Sequence, residues 1–110
     1  MRHLITTTAL AAALAAAPAA MAQSPAGNAE AGKKKTAMCA GCHGIPGYKT
    51  AYPVVYHVPV LGGQTSTYLV NALRAYQTGE RSHPSMKGVA KGLSEQDMAD
   101  LAAYYSGGAK

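Results

Sequence analysis

The chain has no tryptophan, no phenylalanine, only two cysteines, and five acidic residues against ten basic ones. Each shortage excludes something. A structural zinc site takes four ligands, usually from two paired clusters, and no second cysteine pair is present. Seven tyrosines are the whole aromatic supply, so a core in so short a chain is thin unless something large and flat fills it. Long apolar runs are also missing. The longest, Leu4 to Ala17, is 14 residues, short of the ~20 that cross a bilayer, so no stable membrane insertion is expected. The basic excess is modest and no basic-aromatic repeat accompanies it, which argues against nucleic acid.

The apolar run instead has the layout of a secretory leader. Arg2 and His3 form its polar start, and Ala20-Met21-Ala22 offers a small-x-small cleavage site. Residues 1–22 are therefore expected to be a cleaved signal peptide, with residues 23–110 as one small domain. Losing Arg2 with the leader leaves a net charge of +4, suited to an acidic protein partner or an anionic membrane surface.

The two cysteines that are present stand in Cys39-Ala40-Gly41-Cys42-His43. This is the signature for covalent attachment of a c-type haem. Two thiols one helical turn apart can reach the two vinyl groups of one porphyrin. His43, directly after the second thiol, is then placed to be an axial ligand. A disulfide or a thioredoxin-like redox pair is the competing reading, but the latter needs a βαβ context that these flanks lack. Export fits the haem reading, since bacteria attach c-type haem outside the inner membrane.

The expected fold class is all-α, with three main helices and an irregular wrap around one covalently bound haem. Residues 23–27 read as a flexible lead. Asn28 is a good N-cap and Glu30 suits the first turn, so a helix is expected from Ala29 to Ala40. On it, Lys33, Lys34 and Lys35 are expected to be mostly solvated. Gly44 to Gly63 loses helical period yet stays rich in valine and tyrosine, which predicts a wrap over one haem face. A short strand pair is the alternative there. Tyr56 is the candidate for reaching a haem propionate, with plain packing as its bland reading. Leu69, Leu73 and Tyr76 mark a helix over Thr65 to Thr78, closed by Gly79. Ser94 to Asp97 resembles a capping box opening the last helix, on which Met98, Leu101, Ala102 and Tyr105 share a face.

The second axial ligand decides the function, because an open iron binds small molecules and a closed one favours electron transfer. Candidates are His57, His83, Met38, Met86 and Met98. Met38 is beside the attachment site, and Met98 lies on a helical stripe where a core methionine is the default. Met86 falls in the polar, turn-rich stretch Arg81 to Gly88, where a core methionine has little reason to be. It is the preferred ligand and His83 is its rival.

These residues together resemble the small bacterial class I cytochromes c, both monohaem carriers and the half-domains of dihaem ones. The resemblance is carried by Gly27 to Lys33, Cys39 to Gly44, Val58 to Gln64, Tyr68-Leu69, Gly79 to Arg81 with Met86, and Leu93 to Tyr105. It implies thioethers at Cys39 and Cys42, axial ligation by His43 and Met86, and a Pro59 carbonyl that accepts the His43 hydrogen bond. It further implies first and last helices packed near a right angle, with Gly32 facing Leu101 to Tyr105. The wrap is longer than in the shortest members, and Lys35 and Thr36 stand where an aromatic is common. The implied function is a monomeric periplasmic one-electron carrier with haem c as cofactor, serving redox proteins with acidic docking surfaces, and not an enzyme. Lys49, Lys87 and Lys91 are the steering candidates. The alternatives are a small-ligand-binding or peroxidatic haem protein, or a cytochrome subunit of a larger periplasmic complex.

Overall fold

Two glycines set how the first and last helices meet. The backbone of Gly32 lies so close to the last helix that a Cβ there would sit 2.0 Å from the Asp100 carbonyl oxygen. Gly27 is as close to Ala99, at 2.1 Å. The computed structural model describes residues 24–51 and 55–109. The expected leader, together with Tyr52, Pro53 and Val54 of the wrap, lies outside them.

Helix α1 (Ala29–Lys33) starts as expected, with the Asn28 side chain accepting from the Ala31 N–H. It does not run on to Ala40. A turn over residues 34–36 separates it from α2 (Ala37–His43), and the Thr36 hydroxyl donates to the Lys33 carbonyl at 3.0 Å. The turn frees Lys35 to cross over to Asp97 and Asp100, both at 2.7 Å. Lys35 is thus engaged rather than solvated, while Lys33 and Lys34 are exposed.

The wrap carries a short antiparallel ladder, β1 (Lys49–Thr50) against β2 (Tyr56–His57), in register Lys49 with His57 and Thr50 with Tyr56. Helix α3 (Ser66–Thr78) is capped by Thr65 and ends at Gly79, whose φ of 89° needs no Cβ penalty. Helix α4 (Pro84–Lys91) is a correction to the loop expected over residues 81–88. Its N-cap is His83, whose ring accepts from the Met86 N–H, and Pro84 occupies the first turn where no intrahelical N–H partner is needed. Helix α5 (Glu95–Ser106) opens on the complete Ser94–Asp97 capping box.

The all-α architecture therefore holds, with five helices and one two-stranded sheet among the described residues. Leu69 and Val70 of α3 pack with Leu101, Ala102 and Tyr105 of α5 as the buried core. Asp100 is only 3% exposed. Its charge is tolerable because the Lys35 ammonium, the Asn28 N–H at 2.8 Å and the Gln96 amide at 2.9 Å all point at it. The lead is fastened rather than free: Gln96 donates to the Ala26 carbonyl, and Arg74, paired with Glu95, also donates to Ser24.

Candidate haem site

Four helices, α2 to α5, and the wrap surround one cavity of about 490 Å³, and α1 packs against α5 behind it. This is the size range of cofactor pockets, ~300–1,000 Å³. Its walls are mainly apolar side chains: Val58, Val60 and Leu61 from the wrap, Leu69 and Leu73 from α3, Val89 from α4, Leu101 and Ala102 from α5. Tyrosines 56, 68, 76 and 105 complete them.

Helix α2 presents Cys39, Cys42 and His43 to this cavity. The two thiols are free, Cys39 half-buried and Cys42 exposed, three residues apart and so on one face of the helix. Burial pushes the Cys39 thiol up, against an opposing hydrogen bond from Tyr105, and burial pushes the Tyr105 hydroxyl up to about 12. Tyr105 therefore stays neutral at physiological pH and adds no charge to the wall.

His43 Nδ1 lies 2.8 Å from the Pro59 carbonyl oxygen. The carbonyl can only accept, so Nδ1 is the donor, which in the neutral imidazole leaves Nε2 as the nitrogen available to a metal. The segment holding Pro59 is itself backed by the end of α5. Gly63 donates to the Tyr105 carbonyl at 3.1 Å, and a Cβ on Gly62 would meet the Ala109 carbonyl oxygen at 2.5 Å.

Met86 lines the cavity from the first turn of α4, partly buried. His83 lines it too, with Nδ1 3.4 Å from the Met86 nitrogen and its ring edge-on to Tyr56 at 5.1 Å. His57 and Met38 also reach the cavity wall, whereas Met98 is fully buried on α5 and is not part of it. The structure thus brings Cys39, Cys42, His43, Pro59 and Met86 together around one space. Sequence reasoning passed over Arg81, which also lines the cavity and lies against Tyr68 and Tyr76. The Tyr68, Ala72, Tyr76 spacing on α3 was the available signal.

The residues fit a covalently held haem: two thiols on one helical turn, an imidazole with its tautomer set, a thioether on another element, and apolar walls between. A small helical protein built around such a cavity is a c-type haem protein. The profile of the cytochrome c family matches residues 29–106, and the chain belongs to that family. It is 44% identical over 84 residues to cytochrome c-554(548) of Halomonas halodenitrificans, covering 74% of this chain and 96% of that one. It is 35% identical over 106 residues to the thiosulfate dehydrogenase electron acceptor of Thiomonas intermedia, covering 96% of this chain and 44% of the relative. Among solved structures, reduced recombinant cytochrome c4 from Pseudomonas stutzeri matches with a TM-score of 0.58 and 38% identity, over 74% of this chain and 45% of that one. The chain thus spans under half the length of the last two. Its cofactor is haem c, and it is an electron carrier.

Proposed function

We propose that this chain is an exported, periplasmic one-electron carrier, not an enzyme, with thioethers at Cys39 and Cys42 and axial ligation by His43 and Met86. The observation that supports this best is the pairing of His43, its Nδ1 directed at Pro59, with Met86 on a separate element of the same cavity. The haem, when bound, supplies an iron that alternates between ferric and ferrous. The chain's own residues keep that exchange cheap in reorganisation. Pro59 holds the imidazole in one orientation, the His83 cap fastens the turn bearing Met86, and apolar walls exclude water that could compete for a ligand position.

Export rests on the sequence of residues 1–22; no helix among the described residues is long and apolar enough to cross a membrane. The exposure of Cys42, Met38 and Val60 supports a thioether edge at the surface as the exit for an electron. Lys49, Lys87 and Lys91 are exposed and suit an acidic partner surface. The name of the Thiomonas relative supports a partner of dehydrogenase type as electron donor.

The test is optical. Ferric protein should show the weak far-red band of sulfur-to-iron ligation, and Met86→Ala should abolish it. Loss of the band in His83→Ala with its retention in Met86→Ala would overturn the ligand assignment. Ready binding of carbon monoxide by the reduced wild type at neutral pH would overturn the carrier reading in favour of a ligand-binding or peroxidatic protein.

A further inference from the structure

Helix α4 carries Met86, and its one extensive contact among the described residues is with α3. The place of Met86 in the cavity is therefore inherited from α3. That contact has a polar fastening. Gln77, partly buried in the last turn of α3, sends its side-chain Nε2 to two carbonyl oxygens at the far end of α4. They belong to Ala90 and Leu93, each at 3.0 Å. A primary amide nitrogen has two hydrogens, so both bonds form at once. The last carbonyls of a helix lack a partner inside it and are open to such a donor. Ala90 is fully buried, so water is not at hand to replace the amide. Among the described residues no other side-chain hydrogen bond links α4 to another helix.

Ala90 stands four residues after Met86, one turn along the same face. The other end of α4 is held by its own His83 cap, which fixes the first turn but not its relation to α3. Two bonds from one amide, to carbonyls three residues apart, fix both the depth of α4 against α3 and its rotation about its own axis. A helix that turns by one residue swings every side chain by about 100°. Rotation thus decides whether the Met86 sulfur faces the centre of the cavity or its rim.

We propose that Gln77 is a positioning residue for the second axial ligand: its amide clips α4 to α3 through Ala90 and Leu93, and so keeps the Met86 thioether on the iron. The clip makes loss of Met86 unfavourable and thereby closes the metal to outside ligands. The proposal rests on haem occupying this cavity and on Met86 as its ligand.

The experiment uses ferric holoprotein from cells that mature c-type haem, with imidazole as the competing ligand. Imidazole affinity is read by optical titration, beside the far-red band and the thermal melt. Gln77→Met keeps the length of the side chain and removes both donors. It should raise imidazole affinity about tenfold or more, as the loss of one to two net hydrogen bonds implies. Gln77→Lys keeps a donor suited to helix-end carbonyls and should stay within about threefold of wild type. In a Met86→Ala background there is no thioether to displace, so Gln77→Met should leave imidazole affinity unchanged. An equal rise in that background means that Gln77 merely loosens the cavity, and the proposal fails. It fails too if Gln77→Met melts earlier with wild-type affinity and band, or if Gln77→Lys behaves like Gln77→Met. Should Gln77→Met not mature, Gln77→Ser, which admits water to both carbonyls, takes its place with the same expectations. A far-red band that survives Met86→Ala refutes the ligand assignment instead, a separate outcome.

Discussion

Gly32 and Gly88 both lie inside helices, and the same change should act on them with opposite sign. Alanine is intrinsically better than glycine in a helix by about 1 kcal/mol. At Gly88 an added Cβ meets nothing within 4 Å, so Gly88→Ala should stabilise the holoprotein by up to about 1 kcal/mol. At Gly32 the Cβ would collide with the Asp100 carbonyl at 2.0 Å. That obstacle is backbone of a packed helix and cannot swing away, so overpacking outweighs propensity and Gly32→Ala should cost about 3 kcal/mol. Thermal melts followed at the haem absorption check both; equal effects at the two sites would contradict the close approach of α1 and α5. Single residues were legible in proportion to how much pattern surrounded them. Cys39, Cys42 and His43 announce themselves by spacing alone. Met86 was selected because its stretch looked like a loop; it lines the cavity, but from the first turn of a helix. Arg81 was harder to read, because its only signal is the spacing of two rings on the preceding helix.

Among the elements, the α1–α5 contact is the one most exposed to pH. The Lys35 ammonium holds Asp97 and Asp100 down to about 2, helped at Asp97 by Ser94 and at Asp100 by Asn28 and Gln96. A carboxylate depressed in the folded state stabilises fully above its unfolded pKa, ~3.9, and loses that contribution as pH falls through the folded value. The contact should therefore be intact at pH 5 and weaken between roughly pH 4 and 2. Lys35→Met should lower the melting temperature at pH 7, and the gap to wild type should close as pH approaches 2. A gap that stays constant across a series of melts from pH 7 to 2 would show that Lys35 contributes nothing through these carboxylates. Element boundaries were legible where the cap is coded within a few residues, as at Thr65, Gly79 and Ser94–Asp97. The break between α1 and α2 was not, since the carboxylates that draw Lys35 aside lie far along the chain. Helix α4 escaped notice because a histidine is an uncommon cap and eight residues carry little periodicity.

At the scale of the molecule, the buried apolar cluster is small, and several large apolar groups on the cavity wall are open. Met38 and Val60 are exposed, and Tyr56 and Tyr68 about half so. A porphyrin in the cavity would cover part of this surface, so the core should depend on haem for part of its apolar contact. Cys39→Ser with Cys42→Ser, which prevents covalent attachment, should convert a sharp thermal transition into a broad one with reduced helical circular dichroism. A haem-free variant that melts as sharply as the holoprotein would refute this dependence. The thinness of the aromatic supply made that dependence readable from composition, whereas the cavity's charge arrangement needed coordinates. The seating of Gly62 against Ala109 has a practical side. The tail of α5 is the backstop for the stretch that orients the imidazole, so a load attached at the carboxyl end is transmitted toward the metal. Lys33 and Lys34 are exposed and line no part of the cavity. For wiring this protein to an electrode, those two ammonium groups are the handles that leave its voltage response undisturbed.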